Sequence, residues 1–202
     1  MRFIQNTPIS AIQKFCFFWF PYFIHSVDFW ELKLKRANVF TKMKEVLTCL
    51  MNPVLKKIKF PELAPVIVLN APESFRLILP EATVSFEITA EIKAIPYLLF
   101  FATNKKAVDS FADTYLNMLK GDSMLWICYP KGSSKKYHCD FNRDNGWNRV
   151  GAHGFEPVTQ VAIDEDWSAL RFRRTEFIKK ITRSHESTIS SAGKERTAPK
   201  KR

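Results

Sequence analysis

Glycine is scarce in this chain of 202 residues: there are six, and none precedes Gly121. A dinucleotide-binding fold needs G-x-G-x-x-G directly after its first strand, and a class I methyltransferase needs a glycine-rich turn at the same place. Neither pattern can be placed here. The P-loop G-x-x-x-x-G-K-[ST] and the nucleophile elbow G-x-S-x-G are also missing. The sequence therefore predicts no bound cofactor.

Cysteine is equally sparse, with four residues and no C-x-x-C pair (Cys16, Cys49, Cys128 and Cys139). This spacing suits neither a disulfide framework nor a zinc shell, and it favours a reducing cytoplasm. His138 and Cys139 are adjacent, but neighbours on an extended chain point to opposite sides. We expect no metal site.

The formal net charge of +11 is unevenly distributed. Residues 1–60 carry +7, residues 61–170 carry −4 and residues 171–202 carry +8. A basic groove built into the fold is therefore not indicated, because the central part is acidic. Weak, sequence-independent contact with nucleic acid through the basic ends stays open as an alternative.

An apolar run of ten residues, 15–24, is too short to cross a bilayer, which takes about 20 residues, and Pro21 interrupts it. No convincing signal-peptide cleavage site follows. We expect no stable membrane insertion; residues 1–42 are either a membrane-touching segment or an extension. The predicted organisation is an aromatic-rich extension over 1–50, an α/β domain over 51–183 and a disordered basic tail over 184–202.

Apolar runs alternate with helical patterns through the middle of the chain. We expect strands at 65–70, 83–89, 96–103, 123–130, 158–163 and 168–174, and helices at 71–79, 105–120 and from Asp140 to about 150. Asn104 is placed to begin the second helix and Gly121 to end it. Continuous apolar strands separated by helices predict a single three-layer α/β domain, with a mainly parallel sheet of five to six strands that ends in an antiparallel hairpin.

Ligands of open parallel sheets bind beyond the carboxyl ends of the strands. Two loops qualify, and the stronger follows the strand at 123–130. It offers a glycine for close backbone approach, two hydroxyls and three cations, so it predicts a small-anion site (Lys131, Gly132, Ser133, Ser134, Lys135 and Lys136). The alternative is a solvated turn that only connects a strand to a helix.

Secondary candidates are the polar residues of the first loop and three charged residues further along (Asn70, Glu73, Ser74, Asp140, Arg171 and Arg173). Asp140 is expected to cap a helix. Arg171 and Arg173 share one face of the last strand, either as an anion-binding edge or as a charged edge strand that resists aggregation. His153 is expected to be a surface or capping residue.

Three strings carry a family resemblance: "LLFFATNKKAVDSFA", "LWICYPKGSSKKYHCDFNRDNGW" and "VTQVAIDEDWSALRFRR". Over residues 51–183 the chain resembles a family of small bacterial proteins, known from Bacteroidota, that carry a domain of unknown function. The order of strands and the terminal hairpin are also similar to the second half of a class I methyltransferase, without the half that holds the cofactor. The resemblance implies a fold and no chemistry.

Three functions follow as expectations. The first is a cytoplasmic α/β domain that binds a small anion or a partner protein at the loops after strands 65–70 and 123–130. The second is an enzyme of unknown reaction, which requires a buried Asp140 or Asp144 with a displaced pKa. The third is a nucleic-acid accessory protein that acts through its basic ends.

Overall fold

A six-stranded sheet is the main element of a computed structural model, which describes residues 52–61, 65–80, 84–89, 92 and 94–199. The predicted extension at 1–50 lies outside these residues. The strands are β1 Val66–Leu69, β2 Val84–Ser85, β3 Tyr97–Phe101, β4 Met124–Pro130, β5 Phe155–Ala162 and β6 Trp167–Arg174. The helices are α1 Pro53–Lys57, α2 Glu73–Arg76, α3 Lys105–Tyr115, α4 Asn148–Ala152 and α5 Ser191–Thr197.

The strand order is β2-β1-β3-β4-β6-β5. The first four strands are parallel, and β6 is antiparallel to both of its neighbours, β4 and β5. The predicted α/β class, the mainly parallel sheet and the antiparallel end are confirmed. Strands β1, β3 and β4 are almost wholly buried, as expected for parallel strands that are covered on both faces.

Helices cover both faces of the sheet, so the described part of the chain forms three layers. On one face α3 contributes Val108, Phe111 and Ala112 to the core, and Val150 of α4 joins them. On the other face Leu55 of α1 and Phe75 of α2 pack against the sheet. The helix predicted over 105–120 is shorter in the structure: α3 ends at Tyr115, a 3₁₀ turn follows over Leu116–Met118, and Gly121, with a φ of 58° that glycine adopts without strain, lies beyond it.

Two local predictions need correction. The helix expected from Asp140 begins only at Asn148, because residues 141–147 form bends that are closed by the side chains of Asn142 and Asn145. Arg171 and Arg173 do not lie on an edge strand. Strand β5 pairs with β6 on the side away from β4, so β5 is the outermost strand and β6 is an inner one.

The C-terminal segment, residues 184–199, corrects the prediction of a disordered tail over the part that the structure describes. It contains α5, and Ser190 caps this helix by accepting from the Gly193 amide at 3.0 Å. Ser190 and Thr188 are buried, with 0% and 1% exposure. Composition predicted disorder because the segment has few apolar residues, but polar contacts with the sheet order it instead.

Among the described residues, no helix is long and apolar enough to cross a membrane.

Candidate functional site

The carboxyl ends of β1, β3 and β4 meet at one edge of the sheet. Leu69 pairs with Phe100 and Phe101 with Cys128, so the loops that follow these strands lie side by side. The loop after β1 and the loop after β4 are two strand spacings apart, about 10 Å. This is the edge at which open α/β sheets bind ligands.

Strand β6 runs back from the same edge, because its first residue, Trp167, pairs with Pro130 at the end of β4. The acidic turn at 164–166 therefore lies beside the loop at 131–136. The Lys131 amide donates to the Asp166 carbonyl at 2.7 Å, and Lys131 Nζ donates to the Asp164 carbonyl at 2.5 Å. Two backbone acceptors of the turn thus hold the first residue of the loop.

Ser134 determines the shape of the loop. Its hydroxyl donates to Asp166 Oδ1 at 2.7 Å and accepts from the amides of Lys136 and Tyr137 at 3.2 and 3.1 Å. The Tyr137 ring packs against the Trp167 ring, with centroids 5.0 Å apart. Ser134 is therefore a structural residue, because all of these contacts are made within the protein.

The remaining loop residues point away from the fold. We call them the outer loop face, and they are all exposed (Gly132, Ser133, Lys135 and Lys136). A Cβ at Gly132 would meet nothing within 4 Å, so the space above the loop is open. The Lys136 ammonium lies 5.3 Å from the Tyr137 ring centre. Within the described residues, neither lysine has a carboxylate partner.

The structure places the secondary candidates in three different settings. Asn70 follows β1 with a φ of 56°, and the nearby cavity of about 290 Å³ is lined by Glu73, Arg76 and Phe86 among others. Ser74 is exposed on α2, which follows directly. These residues share the carboxyl edge with the outer loop face, but β3 lies between them.

Asp140 does not cap its own segment. Its Oδ1 accepts from the Lys105 amide at 2.7 Å, at the first turn of α3, while Asn104 Oδ1 accepts from the Ala107 amide at 2.8 Å. Asp140 and Asp144 are both exposed, and Asp144 pairs with Arg143. The condition for the enzyme hypothesis, a buried carboxylate at one of these positions, is not met.

Arg171 and Arg173 lie toward the other ends of the strands, because β6 starts beside the loops and runs away from them. Arg173 pairs with Asp122, and its guanidinium lowers the pKa of that carboxyl. Burial lowers the pKa of Arg171. Next along the strand, Arg174 donates to the Leu119 carbonyl at 2.8 Å. The structure therefore does not bring these arginines to the loop at 131–136.

The described cysteines offer no thiolate for catalysis. Burial raises the pKa of both the Cys128 and the Cys139 thiol, so both stay protonated near neutral pH.

His153 joins α4 to α3, with Nε2 3.1 Å from Asp113 Oδ1 and Nδ1 3.3 Å from Asn117 Oδ1. Among the residues that the structure describes, no three ligand-type side chains cluster as a metal site.

Sequence reasoning missed two polar groups. Asp166 is the first: it accepts from the Ser134 hydroxyl and the Lys131 amide of the loop, and the acidic run before Trp167 is the only local signal for it. Glu156 was not singled out. It is a lone acid in the apolar start of β5 and is 1% exposed.

The Tyr129 hydroxyl is a further buried polar group. Burial raises its pKa to about 12, and Gln160 Nε2 donates to this hydroxyl at 3.0 Å.

Comparison with known proteins adds little to this geometry. No family model matches the chain, and no curated protein matches it. Among solved structures, a protein in the NADB-Rossmann superfamily from Streptococcus agalactiae is similar over 61% of this chain and 68% of its own, with 9% sequence identity and a TM-score of 0.39. The resemblance to the bacterial family of unknown function stays a prediction.

Proposed function

We propose that this α/β domain binds a small anion, such as a phosphate group, on the outer loop face after β4. The observation that carries the proposal is the division of the loop into two sets of groups. Lys131 and Ser134 face the 164–166 turn and fix the backbone. Ser133, Lys135 and Lys136 are left exposed at the edge where α/β sheets bind ligands.

The held backbone favours binding. A loop that is already ordered loses less conformational entropy when it takes up a ligand. Gly132 leaves room for an oxyanion to approach the backbone, the Ser133 hydroxyl is a donor, and two ammonium groups supply opposite charge. Two carboxylates of the turn are engaged in contacts within the protein, since Asp166 Oδ1 accepts from the Ser134 hydroxyl and Asp164 Oδ1 accepts from the amides of Asp166 and Trp167.

Thermal unfolding in inorganic phosphate and pyrophosphate, at constant ionic strength, tests the proposal. At ten times Kd a ligand adds about 1.4 kcal/mol to the free energy of unfolding, which raises Tm by roughly 3–5 °C for a chain of this size. Lys135→Ala/Lys136→Ala should abolish this increase. The matched control is Lys56→Ala/Lys57→Ala, since this pair is also adjacent and exposed but lies on α1.

Two results would contradict anion binding at the loop. One is an equal rise in Tm for the wild type and both double variants, which would indicate a general salt effect. The other is no rise for the wild type with either anion.

A further inference from the structure

Strand β5, Phe155–Ala162, is the outermost strand on the antiparallel side of the sheet. Among the described residues it pairs only with β6. An edge strand directs alternate N–H and C=O groups away from its sheet, and natural proteins usually keep such edges short or covered. At eight residues, β5 is long enough to pair with a segment of another protein.

Two cavities border β5, and the second also reaches Leu170 of the neighbouring strand β6. One has a volume of about 120 Å³ and the other about 180 Å³, and Pro157, Val158 and Arg183 line both. They are therefore neighbouring parts of one groove. We call it the β5 groove; residues 157–160 of β5 line it together with residues 180–183, Arg143 and Leu170 of β6. No backbone hydrogen bond joins residues 157–160 to residues 180–183 within the part of the chain that the structure describes.

The β5 groove is positively charged. Arg143, Lys180 and Arg183 line it, and the one acid among its lining residues is the buried Glu156. Arg143 is paired with Asp144, but both side chains are more than half exposed, at 59% and 67%. Such surface pairs are weak, so Arg143 stays available to a ligand of opposite charge.

The local backbone defines where pairing can begin. Pro157 has no N–H, and the register between β5 and β6 shifts between Pro157 and Thr159. Val158 lies at this irregularity with 37% of its surface exposed, although large apolar residues of the described chain are mostly buried. Beyond it the strand continues to Ala162, which leaves five residues with an apolar anchor at one end.

From these features we propose that the β5 groove binds an acidic, extended segment of a partner protein. The segment pairs with β5 from Val158 to Ala162, and its acidic side chains contact Arg143, Lys180 and Arg183. Backbone hydrogen bonds provide affinity in this mode of recognition, and the charges provide specificity and orientation. The inference is independent of anion binding at the outer loop face.

Fluorescence anisotropy with the full chain and a labelled peptide, Glu-Val-Glu-Val-Glu-Val-Glu, tests the proposal. Lys180→Ala/Arg183→Ala should weaken binding about three- to tenfold, because two surface charge pairs are lost. Lys56→Ala/Lys57→Ala is the control, with the same charge change on α1, outside both proposed sites, and should bind like the wild type. Thermal unfolding of each variant checks that the fold is kept.

Three further probes separate the causes of binding. The same peptide with alternate N-methylated amides keeps its charge but cannot pair with a strand, so it should bind at least tenfold more weakly. A Lys-Val peptide of equal length should not bind. The proposal is overturned if the N-methylated peptide or single-stranded dT10 binds as tightly as the acidic peptide, or if the acidic peptide does not bind the wild type.

Discussion

The loop at 131–136 and the C-terminal segment at 184–199 have similar compositions and opposite surroundings. Both are rich in serine and poor in large apolar residues. The loop directs Ser134 inward and leaves Ser133, Lys135 and Lys136 exposed. The C-terminal segment directs Ser190 inward, where it is fully buried against the strand that carries Glu156.

The difference comes from what each segment meets on the sheet. Glu156 Oε1 accepts from the Ile189 amide at 3.0 Å, the Ser190 amide at 2.6 Å and the Ser190 hydroxyl at 2.7 Å. Arg196 adds donors to the carbonyls of Thr175, Ile178 and Lys179. A buried carboxylate needs several donors, and a polar segment can supply them. Few apolar residues therefore do not make a segment disordered when buried acceptors are available.

Glu156→Ala should have the largest effect. It leaves three donors of the C-terminal segment without their acceptor, which costs about 3 kcal/mol in the free energy of unfolding or detaches the segment locally. Urea unfolding measures the first outcome, and limited proteolysis within 184–199 measures the second. The control is Glu165→Ala, in the exposed turn. Equal stability and equal protease resistance in the two variants would refute the role of Glu156.

Gly193→Ala and Gly132→Ala compare the two regions directly. A Cβ at Gly193 would lie 2.6 Å from both Glu156 Oε1 and Thr188 Cγ2, whereas a Cβ at Gly132 meets nothing within 4 Å. Gly193→Ala should therefore destabilise the protein by roughly 1–3 kcal/mol. Gly132→Ala should leave it unchanged or stabilise it by less than about 1 kcal/mol. Urea unfolding of both variants is the measurement, and a neutral Gly193→Ala would contradict the close packing of the C-terminal segment.

Ser134→Ala should have an intermediate effect. It removes the donor to Asp166 and the acceptor of two loop amides, at a cost of about 1–2 kcal/mol. The neighbouring Ser133→Ala should change the free energy of unfolding by less than about 0.5 kcal/mol, because this side chain is exposed. If chemical denaturation gives the two variants the same stability, the division of the loop into inner and outer groups is wrong.

Lys135→Ala/Lys136→Ala should have the smallest effect on stability, within about 0.5 kcal/mol of the wild type without ligand. Arg196→Ala should cost more, because its guanidinium contacts three carbonyls. Urea unfolding in the same buffer ranks them. The reverse order would show that the loop lysines support the fold and that Arg196 does not.

Local signals in the sequence were enough to predict the α/β class and several of its elements. The continuous apolar runs mark β3 and β4, and Asn104 marks the start of α3, whereas Gly121 lies six residues beyond its end at Tyr115. The position of the loop after β4 is also predictable, because the connection that leaves a parallel strand starts at that strand's carboxyl end.

Contacts between distant residues were not predictable in this way. Asp140 and Lys105 are 35 residues apart, Ser134 and Asp166 are 32 apart, and Glu156 and Ser190 are 34 apart. Each contact depends on the order of the strands, which local patterns do not specify. Local patterns therefore assign Asp140 to a cap of its own segment and predict a disordered tail over residues 184–202.

An NMR titration of the ¹⁵N-labelled full chain with sodium pyrophosphate, at constant ionic strength, tests the central claim most directly. The account predicts saturable chemical-shift changes at the amides of Gly132, Ser133, Lys135 and Lys136, with no changes across residues 184–199. Lys135→Ala/Lys136→Ala should remove the saturation. Shift changes concentrated in residues 184–199, or unsaturable changes spread over all exposed lysines and arginines, would contradict anion binding at the outer loop face.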